Sequence, residues 1–388
     1  MTITRRAVLG AAAFVPFLGS VGSRNPEDLI DLRRDLHAHP EAAGQEQYTA
    51  GVVAQRMLAA GLQVTTGIGG HGVVGVLHGA RRGRTVAYRA DIDAVPPAAQ
   101  FPTGPVTAHL CGHDIHTTVG VGVAEALARQ RRALQGSFVF VFQPGEENLT
   151  GASAMLADHL FDSNPPAEIH ALHCAPFPVG QFAVMPGFGL AGLDRAQITL
   201  PDAATARSVA AAVSALGTVQ FPQGTADMER LIADLQQPGS PLAEFVFMRA
   251  SASGATVSLA YKCWPEQRYT AIRQEIQRLA GPAAVAWAGD PFPAMVVGER
   301  EGTAVERYLR RAARRVTRLH GSIPFNGEDF ALFLKRLPGT YTFLGVRRPG
   351  STIDTAYPHF GAFDPDERAI AHGVHAMAGW LAERGLSR

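Results

Sequence analysis

Apolar residues recur at helical spacing over 27–38, with Leu29, Leu32 and Leu36 set among charged residues, and the run stops before Pro40. A second helix is expected over 46–60, closed by Gly61. Short apolar stretches at 62–64, 72–77 and 85–90, punctuated by glycine, predict strands, the last delivering Asp91 and Asp93 at its carboxyl end. An Ala- and Val-rich helix is expected over 117–129. The stretch 137–142, Ser-Phe-Val-Phe-Val-Phe, is almost wholly apolar, the signature of a strand buried on both faces. A further strand over 169–173 ends in His173. Strands alternating with helices predict an α/β domain with its site outside the carboxyl ends of the strands. Three polar groups fall at such ends: Asp91 with Asp93, Glu146 with Glu147, and His173.

From about 193 to 282 the pattern changes. Strands at 197–200, 218–221, 244–248 and 255–261, with helices near 204–216, 226–236 and 265–279, predict a compact α+β module inserted as a second domain. The α/β pattern then resumes with a helix over 303–319, a strand over 340–344 and a last helix over 366–384. The chain therefore divides into 24–192 and 283–388, sharing one sheet domain, and the insert 193–282. His359 falls on a loop, where a functional imidazole is favoured over a core one.

Composition narrows the classes. The chain has 388 residues, 46% hydrophobic and 18% charged, with a formal net charge of +1. That balance gives no electrostatic footprint for nucleic acid or an anionic membrane. The first residues differ from the rest: Arg5-Arg6, an apolar run over 11–18 and small residues up to Ser23 are the pattern of a twin-arginine export signal over 1–23, which implies an exported protein; without it the protein would be cytoplasmic. Three cysteines, Cys111, Cys174 and Cys263, are an odd count that does not indicate a disulfide framework. In an oxidising compartment a free thiol is a liability, which a metal on Cys111 would remove.

The densest chemistry is His109-Leu110-Cys111-Gly112-His113-Asp114-Ile115-His116. In an extended segment Cys111 and His113 project to one side, and a thiolate beside an imidazole suits zinc and related divalent ions. His113 and His116 could instead be neighbours on a helix, but Gly112 favours a loop turning into a helix at about Thr117. The competing reading is a His-rich surface loop with one buried Cys. Glu146-Glu147 after a buried strand would repel one another unless a cation or proton intervened. A metal on one, with the other taking a proton from metal-bound water, is the division of labour of metal-assisted hydrolysis. Pro144-Gly145 would equally permit a solvated turn.

The ordered segments Arg89-Ala90-Asp91-Ile92-Asp93-Ala94-Val95-Pro96, Cys111-Gly112-His113-Asp114-Ile115-His116-Thr117, Phe142-Gln143-Pro144-Gly145-Glu146-Glu147, Leu172-His173, Gly327-Glu328-Asp329-Phe330 and His359 with Phe363-Asp364 and Glu367 resemble one family. It is the dinuclear metallo-amidohydrolase and peptidase family of hippurate hydrolase, the aminoacylases and the plant auxin-conjugate hydrolases. The resemblance spans 27–192 and about 300–388. It implies a zinc-peptidase-type α/β sheet domain interrupted by a smaller α+β ferredoxin-like lid. It further implies two divalent ions per chain, zinc or manganese first, with cobalt or nickel also compatible. Cys111 would be the bridging thiolate, His113, Glu147, His173 and His359 the terminal ligands, Glu146 the general base and later acid, and Asp93 the carboxylate that fixes a ligand. The substrate would be the amide of an N-acyl amino acid, a small conjugate or a dipeptide, attacked by metal-bound hydroxide; neither nucleic acid nor membrane is an expected partner. Departures concentrate in the lid. Where the family carries a Gly-Gly-His-Ala-type segment, this chain reads Leu200-Pro201-Asp202-Ala203-Ala204-Thr205-Ala206-Arg207, without histidine. Ala255-Thr256-Val257-Ser258-Leu259 stands near the family's Asn-Val-Ile-Pro segment, and the lid is shorter than usual. Those departures leave the homodimer open, and keep in view an unusual substrate, amide formation, or a metal- or peptide-binding protein without turnover.

Overall fold

The computed structural model describes residues 26–386; the expected export signal over 1–23 lies outside the described residues. The chain runs through α1 (Pro26–Ala38), α2 (Gln47–Ala59), β1 (Gln63–Ile68), β2 (Gly72–His78), β3 (Arg81–Asp91), α3 (His113–Arg129), β4 (Gln135–Gln143) and α4 (Gly151–Ala157). It continues through β5 (Glu168–Pro178), β6 (Gln181–Val184), β7 (Gly189–Leu190), β8 (Asp194–Thr199), α5 (Ala203–Ser214), α6 (Thr225–Gln236), β9 (Phe245–Ser253) and β10 (Thr256–Trp264). The last third is α7 (Arg268–Ala280), β11 (Val285–Trp287), β12 (Met295–Val296), α8 (Glu299–Arg311), β13 (Arg315–Arg318), α9 (Ala331–Leu334), β14 (Gly339–Arg347) and α10 (Arg368–Arg384).

Eight strands form one mixed sheet in the order β1-β2-β4-β3-β5-β14-β6-β13. Its centre, β4-β3-β5-β14, is parallel, so the carboxyl ends of these strands open on the same edge. The apolar stretch in β4 behaves as its pattern predicts. Phe138, Phe140 and Phe142 enter the core under α1, α2, α3 and α10, whereas Val139 and Val141 enter the core on the other face. Each such side chain contributes about 2 kcal/mol of burial, so the strand is anchored from both sides.

The second sheet is antiparallel, in the order β11-β8-β10-β9, and α5 and α7 pack with it around a separate apolar cluster that includes Ile198, Val213, Val257 and Ile276. A β-α-β-β-α-β path with that strand order is ferredoxin-like. The two crossings between the sheets are themselves paired, as β12 runs antiparallel to β7. Among the described residues no helix is long and apolar enough to cross a membrane.

Three local expectations are corrected. The helix after the Cys-His segment begins at His113 rather than near Thr117, because Gly112 takes a left-handed φ of 89° and turns the chain directly into it. A side chain there would also meet Cys174, whose Sγ lies 2.8 Å from the place of a Cβ. Cys111 and His113 are consequently not on one extended segment. The long helix expected over 303–319 ends at Arg311: Ala313 has a φ of 54°, and β13 then pairs parallel with β6. Residues 218–221 form no strand; Thr218 and Val219 donate to the Val246 carbonyl, and Phe221 packs against Phe101 and Phe325.

Candidate active site

The parallel centre of the sheet brings the expected residues together. Asp91 ends β3 and Asp93 follows it; Glu146 and Glu147 follow β4; His173 lies within β5; Cys111 and His113 enter from the start of α3. His359 arrives on a loop whose backbone is clamped to the segment before α3. Its N–H donates to Leu110 O at 2.7 Å and its carbonyl accepts from Phe101 at 2.8 Å. Its φ of 71° is a left-handed strain of the kind that persists where surroundings over-determine it.

Three imidazoles share one orientation. His113 Nδ1 donates to the Asp93 carbonyl at 2.9 Å, His173 Nδ1 to the Cys174 carbonyl at 2.8 Å, and His359 Nδ1 to the Ala99 carbonyl at 3.0 Å. A carbonyl only accepts, so each Nδ1 carries a proton, and in the neutral ring that metal ligation requires each Nε2 presents a lone pair. Those lone pairs face acidic partners: His173 Nε2 is 3.5 Å from Cys111 Sγ, His113 Nε2 is 3.7 Å from Glu147 Oε1, and His359 Nε2 is 3.5 Å from Glu147 Oε2. His113 Nε2 and Glu147 Oε1 are buried without any hydrogen-bond partner. Cys111, His113 and Glu147 offer donor atoms within 4.8 Å of one another. Orphaned donors aimed at a common point, with the far nitrogen of each ring tied down, fit a cation.

A neighbouring group behaves differently. His116 Nδ1 lies 2.6 Å from Asp91 Oδ1, and its Nε2 accepts the Cys174 N–H at 2.8 Å. Asp91 Oδ2 is taken by Arg89 at 2.6 Å. With these atoms engaged, His116 and Asp91 brace the floor internally. Asp114 likewise turns away from the centre, pairing with Arg33 at 2.9 Å and His37 at 2.8 Å, which fastens α1 to α3.

Asp93 holds two of the candidate ligands. Its Oδ2 accepts the Glu147 N–H at 2.9 Å, and its Oδ1 stands 3.2 Å from His113 Nδ1. Glu146 is 6% exposed, with Oε2 at 4.0 Å from His113 Nε2. Burial, then Glu328 and Glu147, push its carboxyl well above the usual range. Sequence reading assigned no role to the groups that make this tolerable. Arg89 is buried and reaches Asp91, Glu328 and Asp329 at 2.6, 3.1 and 3.1 Å. Glu46 is fully buried and accepts the Gly145 N–H at 2.9 Å, fixing the turn that carries Glu146. Lys262, on β10, is 8% exposed, and its Nζ lies 3.2 Å from where a Cβ on Gly327 would sit. Burial first and Arg195 second lower its pKa to about 8, opposed by Glu146. An arginine inside a familiar motif, and a lysine on a strand of the insert, carry no local signal of this role; only the fold assembles it.

Residues 87–383 match the model of peptidase family M20/M25/M40. The chain belongs to that family. It is 28% identical to an N-acetyldiaminopimelate deacetylase of Enterococcus faecalis, covering 92% of this chain and 97% of the relative. An N-acetylcysteine deacetylase of Bacillus subtilis is also 28% identical, over 88% of this chain and 93% of that one. A solved structure from Bacillus subtilis, described as a dinuclear metal binding peptidase of the M20 family, superposes with a TM-score of 0.70 at 25% identity, covering 93% and 98% of the two chains. This M20 chain is a metal-dependent amidohydrolase, and the resemblance carried by its motifs holds.

Proposed function

We propose that the protein hydrolyses the amide bond of an N-acyl amino acid, a small amino-acid conjugate or a dipeptide, using two divalent ions held by Cys111, His113, Glu147, His173 and His359. The observation that carries the reading is the common orientation of the three imidazoles, each with Nδ1–H on a backbone carbonyl and Nε2 turned to Cys111 or Glu147. A soft thiolate with imidazoles and a carboxylate suits zinc, and manganese, cobalt or nickel are compatible. Ions bound there would polarise the amide carbonyl and lower the pKa of water.

The chain's own residues supply the proton traffic. Glu146 takes the proton of the attacking water, stores it in a site where burial and two neighbouring carboxylates favour the protonated form, and returns it to the leaving amine. Asp93 keeps His113 and Glu147 in place during that cycle. Lys262 takes an anionic oxygen of the substrate beside Glu146, the role left open by the absence of histidine from Leu200–Arg207. The unit built on β8 to β11 acts as the lid, and the protein works after export. A comparison of wild type with Glu146→Gln on N-acetyl amino acids tests the assignment. The variant keeps its metal and loses about 10²–10⁴-fold in kcat; undiminished turnover would remove Glu146 from the mechanism.

A further inference from the structure

We propose that helix α6 is the specificity wall of this site, selecting substrates that place an uncharged, apolar group against it beside the scissile amide. The proposal rests on the hydrolase reading above and names the substrate class it accepts.

Helix α6 lies in sequence between α5 and β9, in the middle of the ferredoxin-like unit, yet it packs elsewhere. Met228, Leu231, Ile232 and Leu235 fall at i, i+3, i+4 and i+7 and form one apolar stripe. Met228, Leu231 and Leu235 are buried in the core of the large sheet, in one cluster with Ile353 and Tyr357, and not in the cluster under the second sheet. Two bonds latch the helix there. His320 N–H donates to Leu235 O at 2.7 Å, and Arg347 pairs with Glu229 at 2.6 Å.

The pocket lined by Cys111, Glu146, His173 and His359 is also lined by Leu231, Ile232 and Leu235 of α6, with Leu190 and Ile323. Among the described residues, neither arginine nor lysine is part of the lining, and Lys262 stands next to Gly327, away from those leucines. A substrate carboxylate pressed against those leucines would lose its hydration without a counter-charge, at a prohibitive cost. An aliphatic or aromatic group would instead gain from burial.

Ile232 is only half-buried, so it can be changed without hollowing the core. The test measures kcat/KM for wild type, Ile232→Ala and Ile232→Trp on two series. One lengthens the acyl group from acetyl to hexanoyl and benzoyl on a fixed amino acid; the other varies the amino acid from glycine to leucine and phenylalanine under a fixed acetyl. In one series Ile232→Ala shifts the ratio of large to small substrate upward by about tenfold, in line with the worth of one or two methylenes in a pocket. Ile232→Trp shifts it downward, and Arg230→Ala, on the outer face of α6, leaves it unchanged. The responding series identifies the group that meets the wall. Calorimetric binding of acetate, butanoate, hexanoate and benzoate to the metal-loaded proteins is read in parallel. Turnover with both ratios unmoved by Ile232 would overturn the wall. Binding that follows Ile232 in a protein that cleaves no amide would keep the wall and overturn the hydrolase reading instead. Neither turnover nor chain-length-dependent binding would overturn both.

Discussion

Asp93 accepts the backbone N–H of Glu147 at 2.9 Å, so the carboxylate that follows one strand fixes the candidate ligand that follows the next. The same side chain stands 3.2 Å from His113. Removing it releases two ligands at once. Asp93→Ala is expected to weaken metal binding by about 10–100-fold, read by competition with a chelator of known affinity. Unchanged affinity would show that the backbone carbonyl of residue 93 alone orients His113.

Lys262 gives a pH dependence of defined sign. Burial lowers its pKa from 10.5 to about 8, so between these values the unfolded chain binds a proton that the folded chain does not. Stability therefore rises with pH across that window, and the cost of burying the charge is complete below it. Lys262→Met is expected to be more stable at pH 7 by on the order of 3 kcal/mol, at 1.36 kcal/mol per unit. The gain should fade toward pH 10.5, and at least tenfold in kcat/KM should be lost on substrates that carry a carboxylate. A stability difference independent of pH between 7 and 10.5, in urea melts of both proteins, would contradict the assignment.

Asp114 has a fully buried side chain paired with Arg33 at 2.9 Å. Arg33→Met leaves that carboxylate with His37 as its remaining side-chain partner. The expected cost is about 3 kcal/mol, at the low end for breaking a buried pair because His37 stays. Chemical denaturation measures it, and a change below about 1 kcal/mol would mean that Arg33 adds little to what His37 and packing already supply between the two helices.

The residues of the candidate site were largely legible because their chemistry is local in sequence. A thiol, imidazoles and paired carboxylates placed after buried strands announce themselves, and the parallel sheet gathers such ends on one edge whatever the details. The wholly apolar stretch of β4 likewise fixed its own burial. What was hidden depends on tertiary context. The helical start at His113 turns on the left-handed φ of Gly112 and its contact with Cys174, neither of which a motif encodes. The break at Ala313 interrupts a stretch whose amphipathic pattern continues through it. Arg89 and Glu46 matter because they neutralise or support buried groups far away in sequence. Helix α6 reads as an ordinary amphipathic helix, and nothing in its pattern says which of two cores it will join.

The most direct test is metal content per chain of gently purified protein, wild type beside Cys111→Ala. The thiol stands 3.5 Å from His173 Nε2 and shares donor space with His113 and Glu147, so its loss should be felt across the whole centre. About two divalent ions in wild type, with a clear loss in the variant, is the expected result. Wild-type protein that holds no metal even after reloading would contradict the account.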